Sequence, residues 1–169
     1  MLAAAMTGAH AQSAAPPLVE TLAHELDRIE ASLATQPDPP HWMAIGAVTS
    51  QTLVLSASNG VATQPTWTHQ RLADVDVRVG TPALDNTHKI RDAGWFDGDG
   101  REAISLPLDA GHDEAIRRAI WRAADDAYRQ ARKRLLKVKN NLAVKVEAED
   151  RSGDFSPSDP AKSTAPLDA

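Results

Sequence analysis

Apolar residues recur at helical spacing near the start of the chain. Val19, Leu22, Leu26, Ile29 and Leu33 stand three or four apart, with Glu20, Glu25, Asp27 and Glu30 mostly between them. That spacing predicts an amphipathic helix of about four turns. Pro16-Pro17 suits its entry, where a missing N–H costs nothing, and Gln36-Pro37-Asp38-Pro39-Pro40 ends it. The period then changes to two. Trp42–Val48 is apolar, Thr49-Ser50-Gln51 is turn-like, and Thr52–Ala57 is apolar again. Asn59-Gly60 follows, a strong hairpin signal because both central positions of the tight turn need positive φ. From Trp67 to Gly80 the alternation is nearly strict, with Ala73, Val75, Val77 and Val79 on one face and Asp74, Asp76 and Arg78 on the other. One apolar and one charged face predict an antiparallel sheet covered on one side.

Residues 81–107 read as a loop-rich excursion with one short strand, marked by Gly94, Asp97-Gly98-Asp99-Gly100 and Pro107. A second helix follows. Ile116, Ala119, Ile120, Ala123, Ala127, Ala131, Leu135 and Val138 form its apolar stripe. Unbroken from 112 to 139, it would span about 42 Å. Asp109 is the expected N-cap, Asp113 and Glu114 occupy the first turn, and basic residues crowd the end, an order that suits the helix dipole. Trp121 and Tyr128 are seven apart and share a face, which predicts packing against the sheet. The order helix, strands, long helix predicts an α+β domain over residues 16–146, an antiparallel sheet packed by two main amphipathic helices.

Composition narrows the function classes. The 169 residues include no cysteine, which excludes disulfides, thiolate metal sites and thiol catalysis. No apolar run reaches the roughly 18 residues of a membrane span, so none is expected. A net charge of −5 argues against a nucleic-acid partner. Charge is divided unevenly. Residues 112–139 carry net positive charge and the remainder net negative charge. Opposite charges alone give weak, salt-screened self-association, so the expectation is a mainly monomeric chain, with pairing through a free sheet edge as a second route. Residues 1–15 resemble either a secretory signal remnant, on the small-x-small triplet Ala9-His10-Ala11, or a disordered leader. The first reading implies a periplasmic or secreted protein and the second a cytoplasmic one. Residues 147–169, acidic and rich in Pro and Ser, are expected to form a flexible tail.

Candidate chemistry is sparse. The histidines at 10, 24, 41, 69, 88 and 112 include no i, i+4 pair, so no metal site and no catalytic residue is expected. Aligning Gly100 with a calcium-loop glycine puts Trp95 and Leu106 at ligand positions, which neither can fill. No nucleophile elbow, P-loop or dinucleotide fingerprint occurs. Two clusters remain. The first, Arg71–Gly80 followed by Leu84–His88, offers a charged strand face that is either solvated or able to bind a cation, with solvation the favoured reading. Its Asp85-Asn86-Thr87 is a good Asx- or ST-turn sequence. The second runs through Leu106-Pro-Leu-Asp109, Arg117-Arg-Ala-Ile-Trp121 and Asp126-Ala-Tyr128.

In order, Val75-Asp-Val-Arg-Val-Gly80, Leu84-Asp-Asn-Thr-His88, the second cluster, Glu149-Asp150 and Asp154-Phe-Ser156 resemble the N-terminal portion of TldD/PmbA-related proteins, a group regarded as zinc metallopeptidases. The resemblance covers about Leu18 to Pro160. It singles out Arg71, Asp76, Arg78, Asp85, Asn86, His88, Asp109, Arg118, Trp121 and Tyr128 as family-motif positions without an assigned role. It implies that zinc and its Glu and His ligands belong to a later region, so this chain would need no cofactor of its own. The implied function is that of a non-catalytic domain, a fragment or degenerate copy, for assembly or substrate guiding. A peptide or protein partner, and a homodimer in full-length members, are the implied partners. The alternative is a stand-alone periplasmic binding or scaffold protein.

Overall fold

Two helices pack against one face of an antiparallel sheet, in a computed structural model that describes residues 18–90, 102–109, 113–143 and 153–158. The chain runs α1 (Leu18–Leu33), β1 (Pro40–Val54), β2 (Ala57–Ser58), β3 (Val61–Ala62), β4 (Thr66–Thr81), β5 (Leu84–Asp85), β6 (Ile104–Ser105) and α2 (Asp113–Ala143). β4 is the spine. β1 pairs along it from Pro40↔Val79 to Val54↔Thr66, β5 joins at Gly80–Thr81, and β6 joins at Leu72–Ala73. The α+β order read from the sequence is the order observed.

The alternating pattern of β4 decides which side is covered. Ala73, Val75, Val77 and Val79 are buried against Leu22, Ile29 and Leu33 of α1 and Ile116, Ile120, Ala124 and Leu135 of α2. Each fully buried valine contributes about 1.5–3 kcal/mol relative to exposure. Two helices cross through one carboxylate. Glu25, only 2 % exposed, meets Arg28 at 2.5 Å and Arg117 of α2 at 3.8 Å. The same pair raises the Arg28 pKa, chiefly through its hydrogen bond to Glu25.

Several expectations are corrected. Thr49-Ser50-Gln51 is no turn. β1 runs through it, because each of these residues has a cross-strand partner on β4. The turn lies where Asn59 (φ 52°) and Gly60 (φ 78°) join β2 to β3, as the Asn-Gly pair predicts. Val19, placed on the apolar stripe of α1, is 75 % exposed. It lies in the first turn, where Leu18 instead packs on the core. α2 is described from Asp113, and the residues that separate it from the expected N-cap Asp109 lie outside the described ones. Trp121 is partly buried at the margin of the core, with the Arg28 guanidinium 4.8 Å from its ring, so it faces α1 rather than the sheet. The Asp97–Gly100 turn, the leader and most of the tail lie outside the described residues.

Tyr128 ties α2 to the α1–β1 connection, its hydroxyl donating to the Pro37 carbonyl. Burial raises its pKa, with nearby Arg132 working against the rise. Being the only tyrosine of the chain, it should give a single phenolate absorbance titration. Its midpoint should lie above the ordinary 10.0 in the folded protein and return to that value in denaturant. Because the folded state holds the proton more tightly, stability should fall as pH rises from 10.0 through the folded midpoint. Tyr128→Phe should abolish that alkaline loss and cost about 1 kcal/mol at neutral pH. An ordinary midpoint in the native protein would contradict the burial.

The faces of β4 make a second contrast. Val77→Asp puts an unpaired charge into the core and should prevent folding. Asp76→Ser, on the opposite face, should cost only about 1 kcal/mol by denaturant unfolding. Equal losses would mean that the strand is turned the other way.

Candidate functional site

Five of the positions singled out from the sequence, Asp76, Arg78, Asp85, Asn86 and His88, converge where β4 ends. Local structure explains how. Gly80 has φ 114°, and a Cβ there would stand 2.6 Å from the Leu84 carbonyl, so only glycine lets β4 fold back tightly on β5. On the next residues, Asp85 accepts hydrogen bonds from the Thr87 N–H and hydroxyl, both at 2.6 Å, an Asx-turn that sets the exit of the chain. Asn86 takes the place of a strand residue. Its Oδ1 accepts from Val79 N–H at 2.8 Å and its Nδ2 donates to the Val77 carbonyl at 3.3 Å. Its own carbonyl accepts from Arg134 of α2 at 2.7 Å, which fastens the turn to the helix layer.

Asp85 is wholly buried, and a buried carboxylate persists only when donors surround it. Besides Thr87, His41 Nε2 lies 3.3 Å away and the Arg78 guanidinium 3.7 Å. The strand register brings His41 there. It shifts by one between Pro40 and Trp42, leaving His41 without a partner on β4 and re-aiming its ring. A carboxylate only accepts, so the proton of His41 belongs on Nε2 in this contact.

The second half of the cluster comes from Gly153–Ser158. Asp154 accepts from the Asp85 N–H at 2.8 Å and lies 2.7 Å from His88 Nδ1. Phe155 N–H donates to the Pro82 carbonyl at 3.0 Å. The Phe155 ring stands edge-on to His41 and tilted against Trp42, at 5.5 and 5.7 Å. The Arg78 guanidinium stands over both the Trp42 and Phe155 rings, 5.1 and 5.4 Å from their centroids, a cation contacting two aromatic faces. Its Nε is buried with no hydrogen-bond acceptor among the described residues, the nearest charge being Asp76 Oδ2 at 4.0 Å.

This geometry changes two expectations. The charged face of β4 is not simply solvated, since the Arg78 and Asp76 side chains are 19 % and 12 % exposed, and Phe155 lies against Arg78. Within the expected flexible tail, Asp154 and Phe155 are docked on the domain. Sparse apolar content argued against docking, but one phenylalanine and one carboxylate suffice when a cation and two donors await them. Asp76, Arg78, Asp85, Asn86 and His88 are brought together here. Arg71 is not among them; it bonds Thr49 and the Pro107 carbonyl beside β6. Asp109 is exposed, Arg118 pairs with Glu114 on the surface, and Trp121 and Tyr128 serve the helix layer. Thr87 fills the turn role read from Asp85-Asn86-Thr87, whereas His41, Trp42 and Arg134 were missed. No local signal in the sequence marks His41, Trp42 or Arg134 for this site.

Among the described residues, no three His, Cys, Asp or Glu side chains are grouped to hold a metal ion. The cluster's donors and acceptors face one another. It has the chemistry of a clasp.

The two halves should respond differently to substitution. Asn86→Ala strands two buried backbone groups of β4 and should cost about 1–3 kcal/mol in denaturant unfolding. Phe155→Ala and Asp154→Ala should leave the core transition nearly unchanged but expose Gly153–Ser158 to protease. Identical cleavage of wild type and variants would show that the segment is not clasped.

Compared with protein-family models, curated proteins and solved structures, the chain matches none, so its chemistry is read from its own side chains.

Proposed function

We propose that this chain is a non-catalytic α+β module that fixes the polypeptide following it, and that it acts as the N-terminal, assembly or substrate-guiding domain of a TldD/PmbA-like metallopeptidase. The observation that carries this reading is the clasp. Positions from three separated parts of the resemblance (β4, the Leu84–His88 turn and Asp154-Phe155) touch one another in one cluster. A catalytic centre keeps polar groups open toward a substrate. Here the carboxylate of Asp85 is 0 % exposed and Asp154 is engaged on both oxygens. Such a cluster determines the direction in which the chain leaves the domain, a requirement for a domain that positions another.

A second reading, a stand-alone binding or scaffold protein, draws support from the apolar residues exposed along the hairpin, Val48, Leu53, Val54, Leu55, Val61 and Trp67.

Purified protein supplied with zinc is expected to show no chelator-sensitive peptide cleavage. Mixed with the separately produced metal-bearing domain of a TldD/PmbA peptidase, it should bind and raise that domain's cleavage, and Phe155→Ala should weaken the effect. Stoichiometric zinc uptake with cleavage by the chain alone would overturn the non-catalytic assignment. No binding and no stimulation would leave the scaffold reading.

A further inference from the structure

The ladder of β1 and β4 runs past the helices. Residues 51–70, both arms and the tip of the hairpin, are all exposed. Along β1 the outer edge has no strand partner among the described residues, because β1 ends the order β1-β4-β5 and β6 joins β4 on its far side. An unpaired edge presents free N–H and C=O groups, and soluble proteins blunt such edges with charge, proline or bulges. This one carries none of those beyond its first residues. From Pro39 to Gln70 there is no Asp, Glu, Lys or Arg, in a chain that is 24 % charged.

We infer that the outer edge of β1 is a self-pairing surface, and that two copies of the chain join β1 to β1 antiparallel across a two-fold axis through Gln51. The occupant is argued from the edge itself. With Gln51 facing its own counterpart, Val48 (67 % exposed) stands opposite Val54 (50 % exposed) of the second copy, twice over by symmetry. Ser50 meets Thr52 and Thr49 meets Leu53 in the same ladder. No charge opposes another, so two acidic molecules can approach here without repulsion. A two-fold axis normal to the sheet keeps both helix layers on one side of a continuous sheet. It also places the Leu53–Trp67 cross-strand pair of each copy, which lies on the helix-bearing face, beside the other copy. The outer edge of β4 is the poorer choice. β6 and the Arg71 contact to Pro107 occupy its inner part, and a β1-to-β4 contact between copies would not close. This pairing does not depend on the metallopeptidase reading. It takes up the free-edge route that the sequence left open, in place of the mainly monomeric chain expected there.

The test uses the full chain in sedimentation equilibrium. Wild type should have the mass of a dimer, with a dissociation constant that changes little as salt rises, since no charge is engaged. Gln51→Lys and Gln51→Glu each place like charges face to face and should weaken the dimer by about tenfold or more. Mixing the two variants should restore it, an outcome that misfolding cannot produce. Gln51→Cys, in a chain with no native cysteine, should oxidise to a covalent dimer across the axis. A monomeric wild type, which would assign the edge to a different extended partner, overturns the proposal. So does a dimer indifferent to Gln51→Lys, or growth into larger oligomers.

Discussion

The antiparallel pairing of β1 with β4 is the constraint on which the rest of the molecule depends. It holds one register from Trp42↔Arg78 to Val54↔Thr66, so side-chain direction on both strands is determined along the whole length. A slip of one residue would turn Val75, Val77 and Val79 outward and Arg78 into the largely apolar helix layer. The core therefore chooses the register, and the register then positions groups that the core does not touch. Trp42 is opposite Arg78 for this reason, and His41 reaches Asp85 because the register breaks just there.

The other face of β4 shows how a buried carboxylate can be tolerated without a large apolar cover. Asp85 would be severely destabilising if left alone, since an unpaired buried charge costs several kcal/mol. Its donors come from three directions: Thr87 in its own turn, His41 on β1 and Arg78 on β4. Each is placed by a backbone feature that is independent of the others. The same backbone N–H of Asp85 then accommodates Asp154, so the turn that satisfies one carboxylate recruits a second. Net attraction in the cluster rests on geometry as much as on charge, because Arg78 faces two carboxylates, Asp76 and Asp85, while Asp154 is held by His88 and the Asp85 N–H.

Much of the fold was legible from residue periodicity. The stripe Ile116, Ile120, Ala131, Leu135 and Val138 is buried as its spacing implied, and Tyr128 joins it from the same face. The valines of β4 fall on the covered side. What periodicity could not show was continuity through Thr49-Ser50-Gln51. Polar residues in an exposed ribbon look like a turn when only composition is weighed, whereas cross-strand pairing to Arg71, Gln70 and His69 keeps them extended. The clasp was legible only in part. Asp85-Asn86-Thr87 announced a turn, but a contact between residues 69 positions apart leaves no local signature. Composition gave no sign of the contact at Asp154-Phe155, because docking there needs two side chains rather than an apolar segment.

The two ends of the β1–β4 ladder differ in charge, and that difference separates their roles. Toward Val79 the strand is surrounded by Asp76, Arg78, Asp85, His88 and Asp154, groups that satisfy one another within the molecule. Toward Thr66 formal charge disappears from both strands while apolar side chains remain in water. A solvated arm gains nothing from Val54, Trp67 or Leu55 at its surface, and its isolated two-stranded ribbon is marginal in stability. Burial against a second surface would relieve both costs at once. The absence of charge also means that such a surface must be recognised by backbone pairing and shape, which demands a matching extended edge. The chain itself carries that edge, with apolar residues placed symmetrically about Gln51, so recognition of self requires no feature beyond those that already build the hairpin.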